Sequence, residues 1–225
     1  MPGQRPGWSP VAHIHLPDGS FTLSWVLFWW LCALVLLGAA LIRARVSRFG
    51  SREIAVAAFL TVAAFVAFLV EIPLFGGVHL NLTPLIGILA GPVLGTLVVF
   101  VTNVLSAAIG HGGWGLIGAN VLVNVSEVVT AWAAFRALGR VTGSLFARAG
   151  LATFGGLFVG NLVMVAIILL SGIQGVSQEG AELLPGLSLV VAVNLGAAVI
   201  EAFLTGFILE YIGRVRPALL EPARS

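Results

Sequence analysis

The sequence predicts an all-α fold: a polytopic integral membrane bundle of six to seven transmembrane helices. Apolar residues make up 59% of the 225-residue chain, charged residues only 9%, and the mean hydropathy is +1.09. A soluble domain carries about 25% charged residues, so this composition is typical of a membrane protein. The apolar runs are continuous and do not alternate as barrel strands do, which favours helices over a β-barrel.

Six apolar runs organise the chain, and each is long enough for a helix that crosses a bilayer. They cover residues 21–42, 54–75, 80–109, 116–138, 150–172 and 186–212. Because the linkers are short, we expect one membrane domain over residues 1–225. It would comprise an extracytoplasmic N-terminal segment (1–20), a helical bundle (21–212) and a cytoplasmic tail (213–225). Residues 1–12 lack the apolar stretch of a signal peptide, so the first run is expected to act as the uncleaved insertion signal.

The first run has an aromatic start. Trp25, Trp29 and Trp30 place that end at a membrane interface, where tryptophan is enriched. Cys32, the only cysteine, lies inside this run and is interpreted as a packing residue.

The third run, 80–109, is too long for one crossing. Thirty helical residues would extend about 45 Å, whereas the hydrocarbon core is about 30 Å thick. The run also contains Gly91-Pro92, a pair that breaks helices. It is therefore either one long bent helix or two shorter segments.

The distribution of arginine decides the topology, since cytoplasmic loops carry the positive charge. All eleven basic residues are arginine, and most fall into three clusters expected inside: Arg43, Arg45, Arg48 and Arg52; Arg136, Arg140 and Arg148; Arg214, Arg216 and Arg224. The 71–83 and 173–185 stretches lack arginine and are expected outside. The N-terminus is then outside and the C-terminus cytoplasmic. Run 80–109 must end on the side where it began, by crossing twice or as a re-entrant hairpin. The small net charge indicates topology, not nucleic-acid binding.

The four histidines all fall on the predicted outer face. His13 and His15 precede a turn predicted at Pro17-Asp18-Gly19, and His79 and His111 lie in glycine-rich loops. Taken singly, His13 and His15 are equally well solvated tail residues, and His79 and His111 are better explained as loop histidines beside a helix start. Imidazole is the commonest protein ligand for ions such as nickel and cobalt, so four histidines on one face favour a metal site.

Polar residues inside the apolar runs allow two interpretations: hydrogen bonds between helices, favoured for the asparagines, or an ion pathway. They are Glu71, Asn103, Asn120, Asn124, Glu127, Asn161, Asn194 and Glu201. Asn120 and Asn124 are one turn apart and share a helix face. Glu71 and Glu127 lie near span ends, which leaves open that they simply reach the interface. Ala63 and Ala67 offer a close-packing face for a partner or for the bundle itself.

Four motifs follow one another along the chain. Residues 15–21 are His-Leu-Pro-Asp-Gly-Ser-Phe. Pro73 with Gly76-Gly77-Val78-His79-Leu80 follows, then Ala90-Gly91-Pro92, then the Gly-Gly loop that runs into Leu-Ile-Gly-Ala-Asn at 112–120. Together these motifs resemble the CbiM/NikM-type substrate-specific subunit of cobalt and nickel energy-coupling-factor (ECF) transporters, whose members open with Met-His-Ile-Pro-Asp-Gly-Phe. Order and spacing agree over about residues 13–140.

The resemblance implies a seven-helix bundle that captures Co(II) or Ni(II) outside the cell, with cobalt destined for cobalamin biosynthesis. Such a subunit works with a transmembrane coupling subunit and cytoplasmic ATPase subunits, often with a small accessory membrane subunit. The chain is not expected to be an enzyme, because it has no Walker, Gly-x-Ser-x-Gly or His-Glu-x-x-His motif. In the family, the metal is held by the N-terminal amine, the amide and imidazole of the second residue, and a loop histidine, which here is His79.

This sequence departs from the family at two positions. Twelve residues precede His13, so we hypothesise that translation starts at the Val11 codon and that Met removal leaves Ala12 first and His13 second. His111 stands where the family usually has aspartate. The predicted ligands are His13 and His79, then His15 and His111, with Asp18 and Asn120 as groups that support a metal-bound imidazole.

Two other functions stay open at this point. An ECF-type vitamin-binding subunit would have an aromatic pocket and bind without metal. A haem-binding membrane anchor of an enzyme would need two histidines facing each other from helices at bilayer depth. The sequence does not choose cobalt over nickel, because both accept imidazole nitrogen.

Overall fold

Six apolar helices form the part of the chain that the computed structural model describes, residues 18–47, 49–69, 71–72, 78–174 and 183–220. They are α1 (Leu23–Ser47), α2 (Ser51–Leu69), α3 (Thr83–Ala108), α4 (Ile117–Leu138), α5 (Leu145–Ser171) and α6 (Leu183–Val215). Every one is long and apolar enough to cross a membrane; for α4, the span includes the 3-10 turn Trp114–Leu116. The predicted helical, polytopic membrane fold is confirmed.

Two helices begin or end at residues other than the limits of their apolar runs, because of local hydrogen bonds. α2 ends at Leu69, before the run's limit at 75, and a short antiparallel pair follows: β1 (Glu71–Ile72) and β2 (Val78–His79). Glu71 is paired with His79 in this ladder. α5 begins five residues before its run, because the Ser144 side chain caps it by accepting the Ala147 N–H at 3.2 Å.

α3 is broken at Gly91 and doubles back on itself. Gly91 has φ 72° and ψ 178°, a backbone conformation that glycine adopts without steric cost. The break divides α3 into two limbs, residues 83–90 and 92–108. Pro92 has no backbone N–H, so it cannot donate the hydrogen bond that would continue the first limb. The limbs lie side by side, since a Cβ on Gly95 would be 3.5 Å from Ile86 Cγ2. The run is thus not a single long bent helix, and its two ends share a side, as the arginine distribution requires.

α4 is the central helix. It packs between α3 and α5, α6 lies against α5, and α1 contacts both α3 and α4. The approach is close: a Cβ on Gly118 would lie 2.5 Å from Trp30 N, and one on Gly87 would lie 2.3 Å from the Val128 carbonyl oxygen. Small residues at such crossings let membrane helices pack backbone to backbone.

The hairpin turn lies toward the arginine-rich end of α4. A Cβ on Gly91 would be 3.9 Å from Trp132 Nε1, and the Arg136 guanidinium stacks over Trp132, 4.9 Å from its ring centroid. The opposite end of the bundle therefore carries the loops that hold His79 and His111.

Candidate metal site

The Asp18 carboxylate fastens the beginning of the described chain to the loop that precedes α4. Oδ1 accepts the Gly115 N–H at 2.8 Å and Oδ2 accepts the Trp114 N–H at 3.2 Å. Asp18 and Gly19 form a turn, with Gly19 at φ 91°. Asp18 is therefore bonded to the loop that also contains His111. His13, His15 and the proposed start at Val11 lie outside the described residues.

His79 and His111 come together although separate loops carry them. Their rings meet edge to face, with centroids 4.7 Å apart and an interplanar angle of 86°. His79 is only 4% exposed. The His111 backbone is fixed to the end of α3, since its N–H donates to the Ser106 carbonyl at 3.0 Å and its carbonyl accepts the Ser106 hydroxyl at 2.8 Å. Two imidazoles are thus held side by side at one end of the bundle.

Two buried carboxylates hold the segment that joins His79 to α3. The Asn81 side-chain amide donates to Glu127 Oε2 at 2.7 Å, and its backbone N–H donates to Glu201 Oε2 at 3.0 Å. The Thr83 hydroxyl donates to the same Glu127 oxygen. Between them, Leu82 has φ 53°, a conformation rare outside glycine. These contacts lock the His79 loop to α4 and α6.

Sequence reasoning did not single out Asn81 and Thr83, and it left Glu127 free to reach the interface. That interpretation of Glu127 is wrong, because its side chain is 5% exposed and points into the bundle. The usable signal was local: Asn81 and Thr83 are polar residues in an apolar run, directly after a candidate ligand.

A cavity of about 150 Å³ lies beneath His79 and is lined mainly by polar side chains. It collects the polar residues of four helices together with the His79 loop. Those polar residues are His79, Asn81, Asn103, Asn120, Asn124, Glu127, Asn161, Asn194 and Glu201. Phe68 is the aromatic residue on its wall.

The asparagines form hydrogen bonds between helices and also line the cavity, so they fit both interpretations: bonds between helices and an ion pathway. Asn194 Nδ2 donates to Asn161 Oδ1 at 3.0 Å and ties α6 to α5, which is the expected bond between helices. Asn103 bonds within its own helix, to the Val99 carbonyl. Asn120 and Asn124 face the cavity together, as their spacing predicts. The residues that join helices are also the residues that line the cavity.

Within the described residues, no three His, Cys, Asp or Glu side chains are grouped so as to hold a metal ion. His79 and His111 supply two nitrogen donors at one end of the bundle. Asp18 uses both carboxylate oxygens on backbone N–H groups, and Asn120 lines the cavity. The other predicted ligands belong to the N-terminal segment, outside the described residues.

Apolar helices around a polar cavity, with two imidazoles at its end, define a multi-pass membrane protein of the solute-transport class. Residues 15–219 match the sequence profile of the CbiM family, described as "Cobalt uptake substrate-specific transmembrane region". The chain belongs to the CbiM family. It is accordingly a multi-pass cell-membrane protein and a component of a transport system.

Relatives agree over nearly the whole chain. A putative cobalt transport protein CbiM 1 from Methanocorpusculum labreanum is 27% identical over 218 residues, 92% of each chain. A crystal structure of a transition metal transporter superposes with TM-score 0.77 and 16% identity, covering 90% of this chain and 93% of that one. A truncated transition metal transporter gives TM-score 0.76 and 16% identity, with 89% and 99% coverage. These two structures show that the fold is shared.

Proposed function

We propose that the chain is the substrate-capture subunit of an ECF-type importer for Co(II) or Ni(II). The observation that carries the proposal is the meeting of His79 and His111 at the end of the bundle where Asp18 is bonded to the loop before α4. Membership of a cobalt uptake family and a curated cobalt transport relative support a metal as the transported substrate.

The proposed ligand set combines side chains and backbone. The amine of Ala12, the amide and imidazole of His13, and the His79 imidazole would bind the ion, with His15 and His111 beside them. Nitrogen donors arranged in a plane suit Ni(II), and imidazole also serves Co(II). Burial of His79 and the hydrogen bonds on Asn81 would hold the loop ligand in place before the ion arrives.

Energy would come from partner subunits. The sequence carries no nucleotide-binding motif, and the family is described as a substrate-specific region. We therefore propose a transmembrane coupling subunit, cytoplasmic ATPase subunits and a small accessory membrane subunit as partners, with cobalt supplied to cobalamin biosynthesis. The Ala63 and Ala67 face of α2, half-buried in this chain, is a proposed contact for such a partner.

The proposed orientation places the metal site outside and the C-terminus in the cytoplasm. It is testable with single cysteines in a Cys32→Ser background. Trp114→Cys lies on the histidine side, and Val141→Cys lies in the arginine-rich loop, where Val141 is 81% exposed. A membrane-impermeant maleimide added to intact cells should label only Trp114→Cys. Labelling of Val141→Cys alone would show that the protein has the opposite orientation.

The central experiment is titration of purified protein with Ni(II) and Co(II), comparing the chain that begins at Met1 with one that exposes Ala12. Tight binding only by the Ala12 form, lost in His79→Ala, supports both the site and the start at Val11. Equal binding by both forms means that the histidine side chains suffice without the terminal amine. Absence of binding by either form contradicts the proposed function.

The alternative functions have less support in the site. A vitamin pocket is expected to be aromatic, whereas half of the residues that line the cavity beneath His79 are asparagine or glutamate. A haem anchor needs two histidines facing each other from helices, whereas His79 lies in β2 and His111 in the turn after α3. Metal-free binding of a vitamin, or a haem absorbance band, would favour these alternatives.

A further inference from the structure

The internal cavity contains two carboxylates without a cationic partner. Glu127 and Glu201 are 5% and 3% exposed and come from different helices, α4 and α6. Both are held by Asn81, through its side chain and its backbone N–H. No arginine lines this cavity in the described part of the chain, and the sequence contains no lysine. Carboxylates buried in this way are normally paired or coordinate a metal ion.

An independent side chain also faces the cavity without a hydrogen bond. Asn124 is 8% exposed and lines the cavity one turn before Glu127. None of the hydrogen bonds between described side chains involves its amide, which lines the open space of the cavity. A ligand in the cavity would satisfy it.

Three further side-chain oxygens belong to residues that line the cavity, are buried and lack a hydrogen-bond partner among the described residues. They are Glu201 Oε1, Asn81 Oδ1 and Asn194 Oδ1. Carboxylate and amide oxygens are the donors preferred by hard divalent cations. These oxygen donors therefore differ in chemistry from the imidazole nitrogens of His79 and His111.

We propose that this cavity is a second, inner cation site, which binds an oxygen-preferring or partly hydrated divalent cation between α4 and α6. The volume of about 150 Å³ has room for an ion with several of its water molecules. His79 lines the same cavity, so the inner site would lie directly beside the histidine site. The inner site goes beyond the proposed function, because none of its donors belongs to the proposed capture set.

The test uses Mn(II), an ion that favours oxygen ligands, titrated into the purified full chain in nanodiscs and followed by the EPR signal of free Mn(II). The wild-type chain should bind Mn(II), and Glu201→Gln and Asn124→Leu should each weaken this binding at least about 10-fold. Glu210→Gln is the matched control, since Glu210 lies on α6 but pairs with Arg214 outside the cavity.

Each result decides for or against the inner site. Absence of Mn(II) binding by the wild-type chain, or binding that only His79→Ala removes, overturns it. Asn124→Leu removes no hydrogen bond between described residues, so it remains informative if Glu201→Gln fails to fold. Parallel Ni(II) titration separates the two proposals: Ni(II) binding that depends on His79 supports the capture site even where Mn(II) binding is absent.

Discussion

The imidazole of His79 meets that of His111 edge to face, with ring centroids 4.7 Å apart. His79 is the last residue of the two-residue strand β2, and His111 follows the second limb of the α3 hairpin. The chain reversal at Gly91 returns the second limb to the side where the first began, so the broken helix creates the histidine pair. The hairpin is therefore the structural basis of the proposed capture site.

His111 should be a weaker contributor to metal affinity than His79. We expect His79→Ala to lower Ni(II) affinity by at least about 100-fold, and His111→Ala by about 10-fold, because His111 is proposed beside the main ligands. His111→Asp should bind better than His111→Ala, since the related family usually has aspartate there. Isothermal titration of the three variants measures this. Equal losses in His79→Ala and His111→Ala would instead make both residues principal ligands.

Asp18 should affect metal affinity through the position of the N-terminal segment. Asp18→Ala removes both acceptors from the Trp114 and Gly115 N–H groups, and hydrogen bonds to a charged group contribute about 1.5–3 kcal/mol each. We expect Ni(II) affinity to fall by about 10- to 100-fold while helix content by circular dichroism stays unchanged. Asp18→Asn keeps one side-chain oxygen and should recover part of the loss. Unchanged affinity in Asp18→Ala would show that the anchor is not needed.

Gly160 should be intolerant of a side chain because it faces Glu127. A Cβ there would lie 2.2 Å from Glu127 Oε1, so Gly160→Ala forces the carboxylate to move. Overpacking of this kind typically costs about 1–3 kcal/mol of folding free energy. Gly155→Ala is the control on the same helix, since its Cβ would meet no atom within 4 Å. Thermal unfolding in detergent should show a lower midpoint for Gly160→Ala only; equal midpoints would contradict this packing.

Gly91 should be required for the chain reversal. At φ 72°, an alanine would be strained by about 1–2 kcal/mol, whereas Gly38→Ala in α1 should be neutral or stabilising by up to about 1 kcal/mol. We expect Gly91→Ala to lower the unfolding midpoint and to weaken Ni(II) binding, because the reversal sets the distance between His79 and His111. A Gly91→Ala protein with wild-type stability would rule out this strain.

Much of the fold was predictable because hydropathy is a local property. Long apolar runs must form helices in a bilayer, since each backbone polar group needs a partner within its own segment. The reversal of run 80–109 was predictable from the arginine clusters together with Gly91-Pro92. The early end of α2 was not predictable, because the β1–β2 pair depends on contacts between residues on both sides of a loop.

The candidate site was predictable only in part. His79 and His111 were accessible from their residue type and their predicted membrane side. The role of Asn81 was not, because its partners Glu127 and Glu201 are 46 and 120 positions away along the chain. A sequence pattern over one helix does not register contacts at such separations.

The sequence by itself determined the class of protein, the six apolar segments and the break in the third, because lipid requires apolar helices and Gly-Pro interrupts them. The tertiary structure decided which polar residues meet. It placed Glu127 inside the bundle, brought the asparagines of α3, α4, α5 and α6 around one cavity, and set His79 against His111. These outcomes depend on how helices pack against one another, and the close approaches at Gly87, Gly118 and Gly160 set that packing.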